Sequence, residues 1–97
     1  MGRAMQILLT NKVEKYLAKQ YKGDPHGIHL VRLFIDTHLQ ESPNPTTLPN
    51  CAKLQGRYKS MGNLWRWRVG KYRIIGDVKS QQFTLEIIEI ATRENAY

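Results

Sequence analysis

The stretch Leu64-Trp65-Arg66-Trp67-Arg68-Val69-Gly70-Lys71-Tyr72-Arg73-Ile74-Ile75 decides how this chain folds. Large apolar and cationic residues alternate at period two, which is the pattern of a half-buried β-strand. Arg66 and Arg68 therefore point to one face, and Trp65 and Trp67 to the other. Gly70-Lys71 reads as a hairpin turn in which glycine supplies a positive φ, and a second strand follows from Tyr72. No acidic residue occurs between Ser42 and Gly76, while Lys53, Arg57, Lys59, Arg66, Arg68, Lys71 and Arg73 all fall in that interval. A sheet face with several guanidinium groups and no carboxylates is costly to assemble without an anionic partner. Phosphate suits it, because planar guanidinium groups bind phosphate bidentately.

Working outward, Tyr72–Lys79 and Phe83–Ala91 read as the next two strands, joined by a turn at Ser80-Gln81-Gln82. Alternation in the last strand is imperfect, which predicts a bulge or a segment buried on both sides. Upstream, a short strand is expected around Leu54 to Lys59. Pro43, Pro45 and Pro49 make Glu41 to Asn50 an irregular connection. A helix is expected from about Gly27 to Gln40, with Ile28, Val31, Phe34, Ile35 and Leu39 as its apolar stripe, widened by Leu30 and Leu33. Gly23-Asp24-Pro25 separates it from an earlier helix that carries Val13, Tyr16, Leu17 and Gln20 on one side and is capped by Thr10 or Asn11. Met5 to Leu9 looks like a first strand. One strand, two helices and a run of hairpin-linked strands make an α+β, two-layer domain. A helical hairpin covers one face of a mostly antiparallel sheet, and the other face, open or concave, carries the arginines.

Ninety-seven residues form a single domain, 1–97, in which residues 1–4 read as a short extension before Met5. The formal net charge of +7 favours nucleic acid, an anionic membrane or an acidic protein as partner. Cys51 is the only cysteine, which excludes an internal disulfide and fits a reducing cytoplasm. No apolar run reaches the length of a membrane span. Trp65, Trp67, Tyr16 and Tyr72 are expected to pack in the core, and Cys51 to be inert. His26, His29 and His38 sit in or beside the second helix. His26 and His29 are spaced for a metal, but the sequence offers no third ligand, so no metal and no cofactor is expected.

Three segments together resemble the RelE/ParE toxin superfamily of bacterial toxin–antitoxin systems. They are Leu54-Gln55-Gly56, the core Arg66-x-Arg68-x-Gly70-x-Tyr72-Arg73, and the ending Arg93-Glu94-Asn95-Ala96-Tyr97. The resemblance covers roughly the last half of the chain, in the right order. It implies a RelE-like microbial-RNase-type fold and one of two activities. RelE-like members cut mRNA in the ribosomal A site, whereas ParE-like members poison DNA gyrase without being nucleases. The Arg93…Tyr97 ending looks more like RelE. In such enzymes the adjacent ribose 2′-hydroxyl attacks the scissile phosphate without a metal, so the protein stabilises charge and helps move protons.

Carried over by position, the resemblance puts Arg73 on the scissile phosphate and Arg66 and Arg68 beside it. Arg93 and Tyr97 match the terminal pair, where tyrosine stacks on a base or assists proton transfer. Lys53, Arg57, Lys59 and Lys71 are the further candidate RNA contacts. The chain departs from the pattern where active members can carry lysine, because Arg66 and Arg68 keep their protons and cannot act as a general base. Lys53, Lys59, Lys71 and Tyr97 remain as alternatives for that role. The implied partners are a small acidic antitoxin, whose acidic segment would neutralise the arginine face, together with the ribosome and mRNA. The alternatives are DNA gyrase as target, or a binding-only homologue that has lost activity.

Overall fold

The computed structural model describes residues 6–42, 44–54, 63–79, 82 and 84–92. In chain order these form β1 (Gln6–Leu9), α1 (Asn11–Gly23), α2 (Pro25–Phe34), a π-helical turn (Ile35–Leu39), a 3-10 turn (Pro45–Thr47), β2 (Cys51–Lys53), β3 (Leu64–Val69), β4 (Tyr72–Lys79) and β5 (Thr84–Thr92). The five strands make one sheet in the order β1-β5-β4-β3-β2. β2 to β5 pair antiparallel, and β1 lies parallel to β5. The result is the expected α+β arrangement, two helices on a five-stranded mixed sheet.

The helices begin where their caps dictate. The Thr10 hydroxyl accepts from the Val13 amide at 3.3 Å and starts α1. The Asp24 carboxylate accepts from the Gly27 amide at 3.1 Å, and Pro25 occupies the first turn of α2. The second helix thus begins two residues before the expected Gly27, because proline at the first helical position is preorganised for a helix start. The expected single helix to Gln40 instead widens into a π turn, where the Thr37 hydroxyl donates to the Leu33 carbonyl at 2.6 Å. Such back-bonding draws a carbonyl away from the regular ladder. Ile28, Val31, Ile35 and Leu39 are buried as expected and Phe34 is half-buried. Leu30 and Leu33, however, remain 39% and 48% exposed, so they do not widen the stripe.

The core lies between the helices and one sheet face. It joins Val13 and Leu17 of α1 with Trp67, Tyr72, Ile74, Val78, Leu85, Ile87 and Ile90. Each such aliphatic side chain contributes roughly 1.5–3 kcal/mol by leaving water. The Trp67 indole donates to the Pro45 carbonyl at 3.0 Å, fixing the proline-rich connection onto the sheet.

β2 lies earlier than the expected Leu54–Lys59. Asn50 starts the pairing, with its side-chain amide donating to the Arg68 carbonyl at 2.7 Å and its own carbonyl accepting from the Arg68 amide at 3.2 Å. Residues 55–59 lie outside the described residues, as do 1–5 and the turn residues Ser80 and Gln81. The expected bulge is present: Ile75 pairs with Glu89 and Gly76 with Ile87, which leaves Ile88 as the extra residue. Gly70 has φ 59, as its turn requires. No helix among the described residues is long and apolar enough to cross a membrane.

Candidate nucleic-acid interface

Register decides which side chains share the face away from the helices. Directly opposite residues of an antiparallel pair lie on one side of the sheet. Arg66 faces Ile75, Arg68 faces Arg73, and Leu64 faces Asp77. Arg66 also faces Ala52 of β2, and Arg73 faces Ala91 of β5. The three arginines singled out in the sequence therefore meet on one face, flanked by small and aliphatic neighbours. Arg68 opposite Arg73 sets two cations about 5 Å apart at their Cβ atoms, an arrangement that favours an anion between them. Both make further interactions within the chain.

Arg66 is half-buried, and its Nη1 is shielded from solvent with no hydrogen-bond partner among the described residues. An unsatisfied buried donor costs about 1–3 kcal/mol, more when it is charged. An anionic oxygen at that nitrogen would remove the cost.

The face differs from expectation in two respects. It is not simply open, because Leu64 and Ile75 lie on it and are each only 2% exposed. Consecutive Ile74 and Ile75 make this part of β4 apolar on both sides, and such a strand is buried on both. Nor is the face without carboxylates: Asp77, Glu86 and Glu89 share it, since the acid-free interval stops just short of Asp77. Each has a partner other than the arginine cluster. Asp77 accepts from the Asn63 amide at 3.3 Å, Glu86 meets the Lys79 ammonium at 3.4 Å, and Glu89 meets that of Lys12 at 3.4 Å.

The other candidate residues are placed apart. Lys53 faces Trp65, with its ammonium 5.9 Å from the centre of the indole ring, so it belongs to the opposite face. Lys71, on the hairpin turn, is drawn toward the helices by an ion pair with Asp24 at 3.4 Å. Arg57, Lys59, Arg93 and Tyr97 lie outside the described residues. His26 and His29 are exposed on α2, while His38 stacks on Phe34 with ring centres 5.2 Å apart. Among the described residues no three His, Cys, Asp or Glu side chains group as a metal site.

Two potential proton acceptors are held protonated. Burial pushes the Cys51 thiol up to about 11, with Arg66 acting weakly in the other direction. Burial, reinforced by its bond to Asp24, pushes the Tyr72 phenol up to about 12. Both belong to the helix-facing side, Cys51 by its pairing with Trp67 and Tyr72 by its place in the core. The Tyr72 hydroxyl donates to Asp24 at 2.8 Å, so one carboxylate caps α2, holds Tyr72 and pairs with Lys71. Sequence reasoning took Asp24 only as part of a helix break. The Asp-Pro pair was the available signal for its capping role, whereas its bond to Tyr72, 48 residues away, has no local signature.

No protein-family model matches the chain, and no curated protein matches it at a significant level. Solved structures do. The chain is similar to the RelE–RelB complex from Pyrococcus horikoshii, with TM-score 0.70 and 24% identity over 96% of this chain and 99% of that one. It is similar to the RelBE2 toxin–antitoxin complex from Mycobacterium tuberculosis, with TM-score 0.71 and 18% identity over 93% and 99%. A metal-bound toxin from Helicobacter pylori matches at TM-score 0.65 and 13% identity over 96% and 99%. Over nearly its whole length, then, this chain has the fold of the RelE toxins.

Proposed function

We propose that this protein is the toxin of a type II toxin–antitoxin system, that it binds the mRNA backbone on its arginine face, and that it cleaves mRNA on the ribosome. The observation that carries the reading is the Arg66 guanidinium, whose buried Nη1 has no hydrogen-bond partner among the described residues, beside Arg68 and Arg73 on one face. Such a constellation suits a phosphate and the extra charge a phosphorane develops. In this reading the ribose 2′-hydroxyl gives up its proton to solvent as its oxygen attacks phosphorus, the bond from phosphorus to the 5′-oxygen breaks to leave a 2′,3′-cyclic phosphate, and the departing 5′-oxygen takes a proton from solvent. The arginines orient the phosphate and stabilise its charge; they move no proton. The fold shared with RelE supports the toxin reading, and the complexes with RelB support an antitoxin as partner.

Induction in a bacterial host, followed by primer extension on a defined transcript, tests the proposal. Cuts at codon positions in translated messages only are expected. Arg73→Ala or Arg66→Ala should reduce cleavage at least a hundredfold, on the order of the loss when a transition-state charge donor is removed, while the fold is kept. Growth arrest with intact transcripts and double-strand DNA breaks would instead indicate gyrase as the target. No growth effect at all would indicate a binding-only homologue.

A further inference from the structure

One carboxylate on the arginine face takes its place from the irregularity in β5. Up to Ile87, opposite Gly76, the β4–β5 register is regular. Continued in the same register, it would set Glu89 opposite Ile74, a residue fully buried in the core. The extra residue Ile88 moves the strand on by one. Glu89 therefore stands opposite Ile75, and Ile90 takes the core position opposite Ile74. A bulge re-aims side chains in this way, and bulges are over-represented next to active sites.

Pairing across three strands arranges this face in rows. Arg66, Ile75 and Glu89 form one row on β3, β4 and β5, and Arg68, Arg73 and Ala91 form the next. Glu89 is thus the diagonal neighbour of Arg73, at roughly 7–8 Å. Asp77 and Glu86 lie in the row beyond, with Leu64, and stand farther from Arg73. The Glu89 side chain is 34% exposed, and the Lys12 side chain that it meets at 3.4 Å is 72% exposed. An ion pair this open to water is weak and exchangeable.

A carboxylate beside a phosphate site repels the group that the arginines attract. It serves a ligand that carries hydrogen-bond donors next to its phosphate. Among the RNA bases, guanine alone presents two adjacent donors, N1–H and N2–H, on its Watson–Crick edge, and the two oxygens of a carboxylate accept both. Adenine, cytosine and uracil present a donor beside at least one acceptor, which a carboxylate repels.

We propose that Glu89 determines base specificity on this face. Its carboxylate accepts from N1–H and N2–H of a guanine whose neighbouring phosphate lies on Arg66, Arg68 and Arg73, and the base displaces Lys12. This inference rests on the proposed RNA-binding role of the arginine face. It adds a preference that the arginines cannot supply, since phosphate contacts carry no sequence information.

The test is fluorescence anisotropy of the full chain with short uridine oligonucleotides, each carrying one central guanine, inosine or adenine. Inosine keeps N1–H and lacks the 2-amino group. Wild-type protein should bind the guanine oligonucleotide about tenfold more tightly than the other two, on the order of one bidentate base contact. Glu89→Ala and Glu89→Gln should bring the guanine-to-inosine ratio close to one while binding of all three persists, because the arginines are untouched. Glu14→Gln, which removes a carboxylate paired with Arg32 on the helices, should keep the wild-type ratio. The inference is overturned if the wild type does not prefer guanine, if both Glu89 variants change all three affinities by one factor and keep the ratio, or if both abolish binding of all three. Wild-type protein that binds none of the oligonucleotides would overturn the arginine-face reading itself, and this inference with it.

Discussion

Tyr72 and Arg73 are adjacent in the chain and face opposite sides of the sheet. Tyr72 is in the core and donates to Asp24 at 2.8 Å, while Arg73 joins Arg66 and Arg68. The bond that ties the helical hairpin to β4 thus also sets the strand that carries the candidate phosphate contact. Tyr72→Phe removes that bond without opening a cavity and should cost about 1–2 kcal/mol, with Arg73 kept in register. The effect has a definite pH dependence. Burial, first, and Asp24, second, raise the Tyr72 phenol to about 12 in the folded state. The neutral phenol is favoured by folding, so this contribution is fully present below about pH 10, the ordinary tyrosine value, and is lost as pH rises through about 12. Urea unfolding midpoints measured across the alkaline range should fall more steeply for the wild type than for Tyr72→Phe. Equal slopes would show that Tyr72 is not the titrating group.

At the scale of elements, the β3–β4 hairpin is the unit that assembles the arginine face. Its turn depends on Gly70, whose φ of 59 lies in the left-handed region, with nothing within 4 Å of where a Cβ would stand. A side chain there meets backbone strain alone. Gly70→Ala should therefore destabilise the protein by about 1 kcal/mol, and Gly70→Asn by less, because asparagine tolerates that conformation. Thermal unfolding of the two variants checks the order, and an alanine variant as stable as wild type would contradict it. Gly76 is constrained differently, because a Cβ there would stand 2.6 Å from Leu85 Cδ1 and 3.3 Å from the Trp67 ring. At this point, beside the bulge at Ile88, the strand backbone runs close against the core.

At the scale of the whole molecule, the sheet separates two groups of described cations: Arg66, Arg68 and Arg73 share one face, and Lys12, Lys15 and Lys19 line α1 on the other side. If Arg66, Arg68 and Arg73 each neutralise one phosphate, single-stranded RNA affinity should fall with salt at a log–log slope of roughly −2. Arg66→Ala should make that slope shallower by roughly 0.7, whereas a non-specific basic surface would show no such discrete step. Filter binding across a salt series reads both quantities.

The sequence by itself determined what depends on local physics. Period-two alternation across Leu64–Val69 set the arginines against the tryptophans, Gly70 marked the turn, a helix start was marked at Thr10 or Asn11, and the faltering alternation after Phe83 announced a bulge or a segment buried on both sides. The two-layer architecture followed from the order of these elements. Tertiary structure alone decided the rest. It placed β1 parallel beside β5, paired over Thr84–Ile87. It put Lys53 on the face away from the arginines and moved β2 upstream to Cys51–Lys53, because Asn50 anchors the pairing to Arg68. It also brought Asp77, Glu86 and Glu89 onto the arginine face and joined Asp24 to Tyr72. The physical reason is range. Caps, turns and side-chain period act over a few residues and leave a mark in composition. Register and strand order are settled by contacts between residues tens of positions apart, and these win only through the packing of the whole core.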